Sequence, residues 1–239
     1  MSEILLPKTF IDRSPDGKYS HLNGLPKISY SQVNSWKDPT YRPDYIKQYF
    51  LGINIPSGIF ADFGSSVGTY IEGVGTNNMD CHKEYEHLLC EEDRQYLNGI
   101  PYPENSIYED YIVVNMGDYC IEGFADRGIY LPKKRVIVED FKTGSVSKKK
   151  DYYASSDYMQ TNLYSYQKEE EGYTIEDCRV ILLDRAGNNS AKSPIRLTGK
   201  KEVVPTPYDR AKTELFLEQV TDTVKEISDF YKKYIKMFT

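Results

Sequence analysis

The chain has 239 residues, 39% of them hydrophobic and 28% charged, with a formal net charge of −6 at pH 7. That length fits one large domain, or a core with an appended helical part, and no apolar run approaches the ~20 residues that would span a bilayer. The opening Met-Ser-Glu-Ile-Leu-Leu-Pro-Lys turns polar too early for a secretory signal, so a cytoplasmic protein with no membrane partner is expected.

Residues 1–27 carry Pro7, Pro15, Gly17, Gly24 and Pro26 and read as an irregular N-terminal arm. A first helix is expected from Ser29 or Ser31, a capping residue ahead of Val33 and Trp36 at helical spacing, and Asp38-Pro39 ends it. Residues 44–51 make a second short amphipathic piece. Read as a helix capped by Asp62, residues 60–75 bring Phe63, Val67, Tyr70, Ile71 and Val74 to one apolar face. Gly64, Gly68 and Glu72 recur every four residues on another stripe. Each helical glycine costs roughly 1 kcal/mol relative to alanine. Two of them leading to a carboxylate point to something that approaches the backbone closely; a glycine-loosened loop with an exposed glutamate is the other reading.

Residues 80–98 are charged with a helical pattern. Strands follow over Ile107–Met116 and Tyr119–Asp126, joined by a tight turn at Gly117-Asp118. A turn containing Pro132 leads to a strand over Arg135–Lys142. Then come a loop over Thr143–Lys150, a helix from about Asp151 to Glu171, a buried strand over Cys178–Asp184 and a further strand around Ile195–Val204. Thr206-Pro207 with Asp209 has the features of a helix start, and Phe216, Val220, Val224, Ile227, Tyr231 and Tyr234 run from there at spacings of three and four. The order implies an α/β fold with helices packed on a mixed sheet. It divides into the arm 1–27, a core 28–205 and a C-terminal helix 206–239 packed on the same domain.

Cys81, Cys90, Cys120 and Cys178 are scattered without a CxxC pair, and His21, His82 and His87 form no metal motif. No Gly-x-Ser-x-Gly elbow, Walker A loop or dinucleotide fingerprint is present, which argues against acyl transfer, nucleotide-triphosphate hydrolysis and hydride transfer. The negative net charge argues against a nucleic-acid partner, but charge is unevenly spread. Between Lys133 and Lys150 seven basic residues face two acids, Glu139 and Asp140.

Within that stretch Asp140 and Lys142 share one face of an extended strand and Phe141 turns to the other. Asp126, at the end of the neighbouring strand, could bring a second carboxylate beside Asp140. Glu72 would add a third acid from its helix. Two or three carboxylates with a backbone carbonyl, that of Phe141, suit Mg2+ or Mn2+. Lys142 would position or deprotonate a water, or stabilise the pentavalent phosphate. Gln160 and Tyr164, one helical turn apart, are donors for phosphate or for the ligands, and Lys148, Lys149 and Lys150 could hold phosphate. The same residues would also suit a solvated surface strand followed by a solvated lysine loop.

Three motifs carry a family resemblance: Gly123-Phe-Ala-Asp126, then Glu139-Asp140-Phe141-Lys142-Thr143-Gly144, then Gln160-Thr-Asn-Leu-Tyr164. Together they resemble the RecB-type exonuclease branch of the PD-(D/E)xK nuclease superfamily, over roughly residues 28–185. Ile28-Ser-Tyr-Ser-Gln32 resembles that branch's opening motif. The resemblance implies a restriction-endonuclease-like core, metal ligation by the two aspartates, a catalytic lysine and a Gln/Tyr helix that contacts DNA or supports the site. Two departures stand out. Many relatives have a histidine where Gly68 stands, which leaves Glu72 as the acid from the first long helix. The cysteine pattern of the iron–sulfur members is absent, so no such cluster is expected. The compact form looks like small phage-type exonucleases, which would place the protein in a host cytoplasm.

The leading expectation is therefore a divalent-metal-dependent DNA exonuclease acting at double-stranded ends in replication, recombination or repair. A homo-oligomer, and a single-strand annealing or replication protein as partner, are compatible with that role. The alternatives are a structure- or site-specific endonuclease on the same core and a nuclease-like DNA-binding module with weak catalysis.

Overall fold

A computed structural model describes residues 3–155, 158–188, 190 and 192–237. In chain order the elements are β1 (Lys27–Ser29), α1 (Tyr30–Lys37), α2 (Arg42–Tyr45), α3 (Ile59–Thr76), α4 (Glu91–Asn98), β2 (Ser106–Asn115), β3 (Cys120–Leu131), β4 (Arg135–Gly144), α5 (Val146–Ala154), α6 (Gln160–Glu170), β5 (Thr174–Ala186), β6 (Arg196–Pro205) and α7 (Arg210–Ile235). A π-helical turn over Ile46–Phe50 follows α2, and a 3-10 segment over Met79–Leu88 precedes α4. The helix expected over 80–98 is thus two pieces. No helix among the described residues is long and apolar enough to cross a membrane.

The chain forms two compact units, 1–56 with 111–124 and 210–239, and 57–110 with 125–209. This cuts the chain differently from the arm, core and terminal helix anticipated above. The N-terminal residues and α7 fall in the first unit, and β2 and β3 each give residues to both.

In the first unit, Ser29 caps α1 through a capping box with Gln32, which satisfies two free backbone donors. β1 pairs in parallel with the start of β3, Lys27 opposite Cys120. The N-terminal stretch is packed rather than loose: Phe10, Tyr19 and Leu22 are buried with Val113 and Cys120. On α7, Leu217, Val220, Val224 and Ile227 form the buried stripe. Trp36 meets Phe230 edge-on at 5.5 Å. The helix starts at Arg210, not at Thr206. The Thr206 amide donates to the Cys178 carbonyl at 2.8 Å and its hydroxyl accepts from Thr161 at 3.0 Å, so that residue extends the sheet edge instead of capping.

In the second unit, β3 pairs antiparallel with β4, β4 parallel with β5, and β5 antiparallel with β6. The sheet is mixed and covered on both faces. Along β5, Ile181 and Leu183 pack with Phe141 against Phe63, Val67 and Ile71 of α3, while Val180 and Leu182 face Tyr153, Tyr158 and Val204. Burying each such aliphatic side chain contributes roughly 1.5–3 kcal/mol. Gly58, not Asp62, is the N-cap of α3; Asp62 lies in the first turn, where the Ser57 hydroxyl donates to it. The lysine run 148–150 is helical, on α5, rather than a loop, and α6 begins at Gln160. The part of the expected helix from Asp151 that crosses 156–157 lies outside the described residues.

Candidate active site

Every residue of the site belongs to the second unit. The β3–β4 ladder runs from Leu131 opposite Arg135 to Arg127 opposite Glu139, and goes no further. Beyond that point β4 continues to pair with β5 through Gly144, so the side of β4 that faced β3 loses its partner. Asp126 stands at this fork. Its Oδ2 accepts a hydrogen bond from the Phe141 amide at 2.5 Å, a side chain in place of a ladder partner. A residue's N–H and C=O leave a strand on the same side, so the Phe141 carbonyl points into the same gap.

Asp140 and Lys142 share a face, as alternation requires. Asp140 is fully buried; its Oδ2 accepts from Lys142 Nζ at 2.6 Å and from the Tyr158 hydroxyl at 2.7 Å. Its Oδ1 is buried with no hydrogen-bond partner among the described residues. Tyr158 also lies 3.1 Å from Gln160 Oε1, and Gln160 Nε2 donates to the Tyr164 hydroxyl at 2.8 Å. Gln160 and Tyr164 thus stand behind Asp140, reaching it through Tyr158. Burial alone would lower the Lys142 ammonium, but the charges of Asp140 and Asp126 outweigh it and raise its pKa. Asp126 is pushed up to about 8, first by loss of water around it and then by the Asp140 charge, with Lys142 opposing.

A cavity of about 520 Å3 opens on this fork. Asp126, Phe141, Lys142 and Thr143 line one side and Phe60, Gly64 and Gly68 of α3 another. The two glycines of the stripe play different parts. A Cβ on Gly64 would sit 3.3 Å from Thr143 Oγ1, so β4 is the body that approaches the helix there. A Cβ on Gly68 would meet nothing within 4 Å, because it would project into the cavity.

Glu109, absent from the sequence reading, lines the same cavity. It lies inside β2 with φ at +48°, in the left-handed region that a non-glycine residue seldom adopts. That one residue breaks the two-residue alternation. Tyr108 packs with the α3 cluster, while Asp110 pairs with Lys168 of α6 at 2.9 Å. Glu109 is exposed by area, yet loss of water around its carboxyl and the charges of Glu72 and Asp140 push it up to about 7. Glu72 stands in the field of Glu109 and bonds toward Cys81; it does not line the cavity with Asp126 and Lys142. Lys148, Lys149 and Lys150 do not line it either. Lys150 pairs with Glu202 and Lys149 lies over the Tyr152 ring.

The opposite face of β4 is structural. Glu139 is buried between two guanidinium groups: Arg127 Nε donates to it at 2.5 Å and Arg179 Nη2 at 2.6 Å. Arg127 also stacks over Phe141 at 4.9 Å.

This fold resembles that of a putative exonuclease from Eubacterium rectale. The two chains are 10% identical, with a TM-score of 0.52 over 93% of this chain and 88% of the other. SSO0001 aligns over 86% of this chain and 80% of its own at 18% identity, with a TM-score of 0.39. No family model and no curated protein matches the sequence. The α/β architecture expected from the sequence, a restriction-endonuclease-like core with a mixed sheet flanked by helices, is the fold found.

Among the described residues no group of three or more His, Cys, Asp and Glu is arranged to hold a metal ion. The oxygen set at the fork nevertheless suits a hard cation. It offers Asp126, the buried unpartnered Oδ1 of Asp140 and the Phe141 carbonyl, and magnesium commonly binds through one or two carboxylates while keeping several waters.

The raised Asp126 gives a measurable pH dependence. The native carboxyl holds its proton to a higher pH than the unfolded one, so the native state binds more protons between pH 4 and 8 and stability falls as pH rises through that range. In EDTA, the thermal midpoint of the wild-type chain is expected to drop between pH 5 and pH 8, and that of Asp126→Asn to drop less. Superimposable pH profiles would show that Asp126 is not the group responsible.

Proposed function

We propose that the chain is a divalent-metal-dependent deoxyribonuclease of the PD-(D/E)xK type, acting as an exonuclease on double-stranded DNA ends. The observation that carries this reading is the fork itself. An aspartate from β3, and an aspartate and a lysine from one face of β4, converge at the point where the ladder ends, beside a cavity wide enough for a phosphodiester.

In this reading Asp126, Asp140 and the Phe141 carbonyl hold Mg2+ or Mn2+. Bound there, the cation supplies charge neutralisation at the scissile phosphate and lowers the pKa of a water. The remaining steps belong to the chain. Lys142, held by Asp140, places an ammonium where negative charge develops on the phosphate. Tyr158 fixes the orientation of Asp140, and Gln160 and Tyr164 in turn fix Tyr158. The open face at Gly68 leaves room for the sugar-phosphate backbone to approach α3. Glu109 adds a third carboxylate at the cavity from a strand rather than from the helix that carries Glu72.

Incubation with linear and covalently closed circular DNA in magnesium separates the readings. Loss of linear DNA alone is the expected result. Nicking or linearisation of circles would replace the exonuclease with an endonuclease, and binding of either form without cleavage would leave only a DNA-binding module. Repeating the reaction in EDTA is expected to abolish cleavage; undiminished cleavage there would refute the metal.

A further inference from the structure

One large side chain of the cavity at the fork carries neither charge nor a polar atom. Phe60 extends the stripe of Gly64 and Gly68 by one turn toward the start of α3, and all three line that cavity. Ala61, Ser65 and Thr69 line it beside them, so the α3 wall is a floor of small residues that ends in a single ring. Ile59, Phe63 and Val67 pack into the α3 cluster, but Phe60 does not join them and is 43% exposed. A lone exposed phenyl ring is ordinary on a protein surface; its partner and its place set this one apart.

The partner is Arg185. Alternation along β5 puts Ile181, Leu183 and Arg185 on one face, and the first two are buried against α3. Arg185 comes next, just past the pairing of Gly144 with Asp184 that ends β4, and its guanidinium carbon lies 4.2 Å from the centre of the Phe60 ring. Arg185 does not itself line the cavity, so the guanidinium covers the side of the ring turned away from it. Its Nε is buried with no hydrogen-bond partner among the described residues. The neighbouring Asp184 is committed elsewhere, to the Val146 amide at 2.9 Å and the Thr198 hydroxyl at 2.7 Å. Stacking on Phe60 is therefore the contact that holds the guanidinium, and it holds the ring in turn.

The place is equally specific. Gly64, one helical turn or about 6 Å from Phe60, is where α3 touches β4 at Thr143, the residue after Lys142. That is the reach of one nucleotide from its phosphate to its base. A flat apolar face backed by a positive charge suits a nucleobase on an anionic backbone, and stacking on it is tolerant of sequence because every base has a π-face. Inside a duplex each base has both faces covered by its neighbours, so only a base at an end or in an unpaired strand could use the ring. We infer that Phe60 stacks on the base of a nucleotide flanking the scissile phosphate, with Arg185 fixing the ring, and that this platform selects DNA ends. The inference rests on the nuclease reading and names the part of the substrate that reading leaves open.

Steady-state cleavage by the full chain in magnesium tests it, on a DNA hairpin with one open end that is either intact or abasic in its terminal base pairs. Phe60→Ala is expected to raise KM on the intact end by about tenfold, in the range for a base stacked on an aromatic side chain, with kcat nearly unchanged because the stack is present before and in the transition state. On the abasic end the wild-type KM should already be raised by a similar factor, and Phe60→Ala should add nothing to it. Phe60→Trp should keep the wild-type values on the intact end. Phe60→Leu, which retains a hydrocarbon under Arg185 but no flat face, should behave as the alanine variant does, and it takes over the test if that variant fails to fold. An unchanged KM, an equal loss on both ends, or wild-type activity in Phe60→Leu would overturn the assignment and leave the ring a packing residue. Absence of cleavage by the wild-type chain would instead overturn the nuclease reading, and this inference with it.

Discussion

Replacement of Lys142 by methionine is expected to lower magnesium-dependent cleavage of linear DNA by about a thousandfold, with the circular dichroism spectrum unchanged. Removing one preorganised group that stabilises transition-state charge costs about 10²–10³ in turnover, and Lys142 is also the partner that holds Asp140 at 2.6 Å. Methionine keeps the length and apolar stem of the side chain and deletes the charge. The Lys142 side chain is partly exposed, so the substitution does not leave a sealed void inside the sheet. Asp140→Asn should produce a loss of similar size, because it removes the anion while keeping the hydrogen bond from Tyr158. Turnover within tenfold of wild type for either variant would remove the fork from the chemistry.

The second large effect concerns stability. Glu139→Ala is expected to destabilise the chain by about 3–5 kcal/mol, measured as a lower urea midpoint, because it strands the Arg127 guanidinium in the core. Arg127 would keep its bond to the Pro101 carbonyl at 2.8 Å, a long one to the Tyr108 hydroxyl at 3.5 Å and its stacking on Phe141, none of which supplies a negative charge. Arg179 is better placed, since Asp177 already accepts from it at 2.8 Å. A change below 1 kcal/mol would mean that water or relaxation satisfies Arg127, and that the network is not what holds β3, β4 and β5 in register at the site.

These two neighbours, Glu139 and Asp140, show what the sequence could and could not express. Alternation along a strand is a local rule, and it correctly set Asp140 and Lys142 on one face with Glu139 and Phe141 on the other. What lies on each face is a tertiary fact. Arg127 and Arg179 reach Glu139 from other strands, and nothing in the local pattern distinguishes a solvated glutamate from one buried between two guanidinium groups. Glu109 was missed for a related reason. Ile107-Tyr-Glu-Asp-Tyr reads as a regular strand, and only a left-handed residue inside it sends Tyr108 and Asp110 to opposite faces. Two adjacent acids in an otherwise apolar strand were the available signal. Tyr158 was invisible because it precedes α6, where no periodicity marks it. The lysine run was read as a loop because three like charges disfavour a packed element, yet Val146 and Tyr153 give α5 its buried side.

The pairing of β4 with β5 has an irregularity between Val136 and Ile137, and from Ile137 to Gly144 it proceeds one residue to one residue. The extra residue is Glu176 of β5, so any slack introduced by the α6–β5 connection at 171–173 is taken up before Glu139 is reached. A slip of a single residue past that point would exchange the two faces of β4, turning Lys142 toward the hydrocarbons of the α3 cluster and Glu139 away from its two guanidinium partners. The irregularity thus works as an expansion joint: the connection from α6 into β5 can drift in length and sequence while the frame in which acid and base are read stays fixed.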